Sequence, residues 1–152
     1  MLLIVTLIIT YGIKAQDSID YLSIRDSVVT FSCGETSGEE VLGTLKRLSD
    51  IDTSLITNGL AAYFNDLGWA FHLRGMVNKF GQDSLRQCIS YFKRAAALNP
   101  AATGDYYHTI IFTYFRLKDC DGAREAMEIY KKHVKKRKRD ADLVNLFNRV
   151  CP

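Results

Sequence analysis

Four cysteines, Cys33, Cys88, Cys120 and Cys151, and three histidines, His72, His108 and His133, are the side chains best suited to metal binding or nucleophilic chemistry. No CxxC pair occurs, and the histidines fall at no zinc-ligand spacing. HExxH, GxSxG, GxGxxG and P-loop patterns are absent, and Gly34-Glu35-Thr36-Ser37-Gly38 lacks the lysine that a phosphate loop needs. Glu39-Glu40 sit where a helix opens, a position in which the helix dipole already accounts for acids, and Asp119 and Asp121 flank a turn. Catalysis requires a base, a nucleophile and an orienting group that converge. The expectation is therefore a protein that is not an enzyme and carries no metal or cofactor.

The charge pattern is more specific. Lys131, Lys132, Lys135, Lys136, Arg137, Lys138 and Arg139 lie within nine positions, with His133 among them, whereas acids outnumber bases in the chain outside this run and Lys14. Cations at a helix C-terminus complement its dipole, which accounts for a solvated basic end. The alternative is an anionic partner, because a clustered patch raises the association rate. Acidic protein, polysaccharide or lipid headgroup then ranks ahead of nucleic acid.

These groups have to be positioned by a chain of 152 residues with net charge +3, 47% hydrophobic and 24% charged, which suits one small globular domain. Residues 2 to 13 are apolar but too short to span a bilayer, which takes about 20 residues. They read as the core of a secretory signal ending at Ala15, so residues 1–15 are expected to be a signal peptide and the protein periplasmic or secreted, with no stable membrane span. An N-terminal core helix is the competing reading. Residues 16–35 show no helical stripe and read as an extended arm with one short strand. Residues 36–152 read as all-α, with no strand after Cys33.

Within that region Thr36-Ser37 offer an N-cap to a helix over 38–49 with Val41, Leu42, Leu45 and Leu48 at helical spacing. Residues 50–58 connect it to a helix opening at Gly59, with Leu60, Tyr63, Phe64, Leu67, Ala70 and Phe71 on one broad face. After MVNKFGQDS, which is either further helix or an enlarged loop, a helix buries Leu85, Cys88, Ile89, Phe92, Ala95 and Ala96 and closes at Pro100. The next uses Tyr107, Ile110, Ile111 and Tyr114; the next runs on into the basic cluster and uses Ala123, Ala126, Met127 and Tyr130; a last short one uses Leu143, Leu146 and Phe147.

An exported chain gives cysteines a reason to pair, and four of them allow three connectivities that the sequence does not choose among. Helix geometry ranks them. Cys120 opens one helix, and an antiparallel terminal helix carries Cys151 back toward it. Cys33–Cys88 follows by elimination. Cys88–Cys120 competes, but both begin second helices of successive hairpins, about 8 to 10 Å apart, beyond the roughly 7 Å that a bridge allows.

Two helix pairs in succession point to a solenoid, because one pair cannot bury its apolar face alone. Phe64-x2-Leu67-Gly68-x2-Phe71, Gly75 and Cys88-x3-Phe92-x2-Ala95-x4-Pro100 resemble the tetratricopeptide repeat, and Tyr107-x2-Ile110-Ile111-x2-Tyr114 with Ala123-x3-Met127-x2-Tyr130 resembles a second copy. Two departures stand out: the turn between Gly75 and Cys88 is longer than the template, and bulky Ile111 holds the place of Gly68, where it should push helices apart. A generic antiparallel bundle shares the same periodicities.

The resemblance implies repeats at about 59–100 and 101–138 with a cap at 140–150. It also implies a concave groove lined by Asn65, Trp69, His72, Asp105, His108, Phe112, Phe115 and Arg116. Such a groove would take another protein or a peptide, one that could be acidic. The competing place for Trp69 and Phe112 is against the N-terminal arm. A competing function is a small structural or inhibitory envelope protein, of the immunity type, acting through its outer surface and basic patch.

Overall fold

The computed structural model describes residues 18–31, 37–77 and 81–152. The expected signal segment 1–15, Cys33 and parts of the arm lie outside the described residues.

The described chain is all-α, with seven α-helices and one very short parallel strand pair. In order they are α1 (Tyr21–Val28), α2 (Gly38–Ser49), α3 (Leu60–Val77), α4 (Gln82–Leu98), α5 (Thr103–Leu117), α6 (Cys120–His133) and α7 (Ala141–Val150). Each of α3 to α6 packs most closely on its sequence neighbours, α3 on α4, α4 on α5 and α5 on α6, while α2 packs on α3. Helix starts follow local chemistry. Ser37 and Glu40 form a reciprocal capping box at α2, Asp119 accepts from Gly122 N–H at α6, and Asp140 accepts from Asp142 and Leu143 N–H at α7.

The expected helix over 38–49 is found at those bounds, and all six expected inward residues of α4 are buried. Three expectations are corrected. The arm is helical over Tyr21–Val28. A strand follows Cys33, since β2 (Ile56–Asn58) pairs in parallel with β1 (Ile19–Asp20). The basic cluster does not extend α6: that helix stops at His133, and Lys136–Lys138 form a separate 3-10 turn.

The core has two centres. Tyr21, Val41, Leu48, Tyr63 and Leu67 belong to one, where α1 and α2 cover α3; Cys88, Phe92, Ile110, Ile111 and Met127 belong to the other, between α4, α5 and α6. Gly68 lets α3 approach α4, since a Cβ there would stand 2.9 Å from Cδ1 and Cε1 of Phe92. At the matching place in the second hairpin Ile111 is fully buried in one cluster with Met127. Met127 holds the place in this hairpin that Phe92 holds in the first, and both Ile111 and Met127 are fully buried.

The long turn between Gly75 and Cys88 is also explained. Both helices grow, α3 to Val77 and α4 from Gln82, so little chain is left between them.

Candidate functional site

Helices α3 and α5, the first members of the two hairpins, present one shallow surface on which two adjoining hollows share Trp69, His108 and Thr109. The smaller, about 250 Å³, is closed by His72, Phe112 and Arg116. The larger, about 490 Å³, runs past Gly104 and Asp105 to Tyr130, Val134, Lys138 and Asp140. Of the eight groove residues expected from the sequence, six line this surface: Trp69, His72, Asp105, His108, Phe112 and Arg116.

The other two are placed elsewhere. The Asn65 amide donates to Asp66 Oδ1 at 3.2 Å, which ties it to the ion pair under α1. Phe115 packs between Phe112 and Phe147, with ring centres 6.0 and 6.3 Å away, and so joins α5 to α7.

The groove aromatics are held by their neighbours. Trp69 is half-buried and meets the rings of His72 and Phe92 edge-on, each at 5.6 Å. The described part of the arm does not cover Trp69. Helix α1 packs on another flank of α3, where Tyr21 meets Tyr63 edge-on at 5.3 Å and donates to Asp66 Oδ2. Phe112 stands 5.1 Å from the His108 ring.

His108 is fixed at its other end by Asp140, with Nε2 and Oδ2 2.9 Å apart, and that contact is the leading reason the Asp140 carboxyl is held below the usual carboxylate range. Asp140 also caps α7, and its N–H donates to the Tyr130 hydroxyl. Asp140 therefore joins three helices, its carboxylate linking the groove helix α5 to the start of α7 and its backbone N–H reaching the end of α6.

Beneath the groove, Cys88 Sγ lies 3.9 Å from His72 Nδ1 and 3.8 Å from Thr113 Oγ1. Cys88 is a free, buried thiol whose sulfur faces the side of α5; Cys33, the partner expected for it, lies outside the described residues. Burial pushes this thiol up to about 12, so at neutral pH it stays protonated and is no nucleophile. Burial, and secondarily the Arg116 charge, hold His72 below its ordinary pKa. Among the described residues no three His, Cys, Asp or Glu side chains come together as a metal site.

Cys120 and Cys151 are joined by a disulfide with Cα atoms 5.3 Å apart, the pairing that helix geometry ranked first. The basic residues divide into two groups. Arg139 is half-buried and its guanidinium donates to the carbonyls of Val134 and Lys131, satisfying the open end of α6. Lys131 lies over the Phe147 ring and pairs with Glu128. Lys132, Lys135, Lys136, Arg137 and Lys138 remain exposed, and Lys138 stands at the rim of the groove.

Sequence reasoning missed Thr109, Tyr130 and Asp140 as parts of the site. Thr109 follows His108 directly, and Asp140 carried the signal of a helix N-cap, but only the meeting of α5, α6 and α7 places them together. No family model, no curated protein and no solved structure matches this chain. Among the described residues no helix is long and apolar enough to cross a membrane.

Proposed function

We propose that this protein is an exported, non-enzymatic module of stacked helix hairpins, similar to tetratricopeptide repeats, that binds another protein or a peptide in the groove between α3 and α5. The observation that carries this reading is the continuity of the two hollows through Trp69 and His108, with Phe112 and Arg116 at one end and Lys138 at the other. Aromatic and arginine side chains held in place on a rigid helix surface are the residue types that dominate binding energy at protein interfaces. The order of packing, each helix on its sequence neighbours, supports the repeat reading. The Cys120–Cys151 disulfide supports an oxidising compartment and hence export.

The bound segment is read as acidic overall. Arg116 and Lys138 are exposed cations of the groove, and the exposed run Lys135–Lys138 adjoins it; Asp105 is the opposing exposed charge, while the Asp140 carboxylate is engaged by His108 Nε2 and the start of α7.

Affinity capture from the native cell envelope tests the reading. A partner retained by the wild type and lost by the Trp69→Ala, Phe112→Ala double variant supports the groove. A partner retained by both points to the outer surface.

A further inference from the structure

We propose that the segment Lys135–Lys138 is a site of limited proteolysis by a trypsin-like protease, and that the Cys120–Cys151 disulfide turns the cut chain into a two-chain protein. Such proteases take an extended lysine or arginine into a primary pocket, and they act where an exposed loop can leave its own structure cheaply. All four residues from Lys135 to Lys138 are exposed. Arg139, directly after the segment, already has extended backbone, and the backbone bonds within the segment are Lys138 N–H to Lys135 O and Arg139 N–H to Lys136 O. Opening it breaks one 3-10 turn and no α-helix.

Arg139 belongs to the run but not to the site. Its guanidinium is held on the carbonyls of Val134 and Lys131, so it is withheld from a protease pocket. Cleavage is therefore expected after Lys135, Lys136, Arg137 or Lys138. At the last of these, water adds across the Lys138–Arg139 peptide bond, leaving a carboxylate on Lys138 and an ammonium on Arg139; no oxidant or reductant takes part.

Covalent topology sets the fate of the cut chain. Cys120 is the first residue of α6 and Cys151 comes directly after α7, so the disulfide brackets the segment. The C-terminal piece stays attached through that bond, with Leu143 fully buried and Phe147 against Phe115. The cut releases the segment carrying Lys138 from the groove rim, while His108 and Asp140 keep their contact. Cleavage at this segment does not depend on the binding role proposed above.

Graded trypsin digestion of the oxidised protein, read by mass spectrometry before and after reduction, tests it. The expected first product is cut after one of Lys135 to Lys138, keeps both pieces together, and separates into two only on reduction. The Lys135→Gln, Lys136→Gln, Arg137→Gln, Lys138→Gln variant is expected to slow the first cut at least about tenfold. In Cys120→Ser, Cys151→Ser the C-terminal piece is expected to leave without reductant, since an isolated ten-residue helix is marginal in water. A first cut at another basic residue, a cut after Arg139, an unchanged rate in the glutamine variant, or a C-terminal piece that dissociates from the oxidised wild type would each overturn the proposal.

Discussion

Arg25 on α1 and Asp66 on α3 form a two-bond ion pair, Nε to Oδ2 at 2.6 Å and the terminal nitrogen to Oδ1 at 2.7 Å, with the carboxylate almost fully buried and the guanidinium partly in water. Tyr21 donates to the same carboxylate, and its phenol is raised well above its ordinary value, first by burial and then by Asp66. These contacts fasten α1 to the flank of α3 away from Trp69, which leaves the groove uncovered by α1.

Removing one partner of a buried pair strands the other. Arg25→Ala leaves the Asp66 carboxylate buried with only Tyr21 and Asn65 as donors, and is expected to cost about 3 kcal/mol. Asp66→Ala leaves a guanidinium that can turn into water, so a smaller loss of about 2 kcal/mol is expected, mainly from the unpaired Tyr21 hydroxyl. Urea unfolding of the two variants checks the order; equal or reversed losses would contradict it.

The same pair explains where the sequence was hard to read. On α1 the inward positions are Tyr21, Ile24, Arg25 and Val28, a helical spacing that a charged residue interrupts, so the stripe is invisible until Asp66 is known to lie opposite. One short strand was expected in the arm, where β1 lies, but its partner β2 escaped because it is three residues long and lies more than thirty positions away. The helices α2 to α7 were legible because each carries several apolar residues at helical spacing, enough to show the stripe even where Thr44, Asp66 or Thr113 is buried among them, and Trp69, His108 and Phe112 were legible as outward positions on those helices. Cys88 was assigned a partner by elimination, and no sequence spacing shows that His72 and Thr113 stand beside its sulfur.

Reduction separates the two kinds of cysteine. Opening Cys120–Cys151, which closes a loop with a sequence separation of 31, is expected to cost roughly 3 to 4 kcal/mol. Cys88, protonated and buried, is expected to stay unlabelled by a thiol reagent until the protein unfolds. Urea midpoints with and without reductant, together with labelling under native conditions, check both. Rapid native labelling of Cys88 would contradict its placement.

Acid weakens the fold through His72. Its folded pKa is lowered, so the unfolded chain binds the proton first as pH falls. Its contribution is complete above about pH 6.5, the unfolded value, and is lost as pH drops from there through the folded value. Asp140, also lowered, acts in a separate window: its contribution is present above the ordinary carboxylate value and lost as pH falls through the folded one. Urea midpoints at about pH 7.5 and about pH 5.5 should fall more for the wild type than for His72→Gln. An equal fall in both would place the acid sensitivity elsewhere.

Trp69 is the only tryptophan, so the intrinsic fluorescence of the protein reports directly on the groove. Titration of the wild type with the captured partner, set beside binding to Phe112→Ala, therefore tests groove binding most closely. A bound groove should give a Trp69 emission change that saturates with binding, and an affinity at least about tenfold weaker for Phe112→Ala, which corresponds to about 1.4 kcal/mol. Saturable binding with unchanged emission, and with full affinity in Phe112→Ala, would show that the partner sits elsewhere on the molecule.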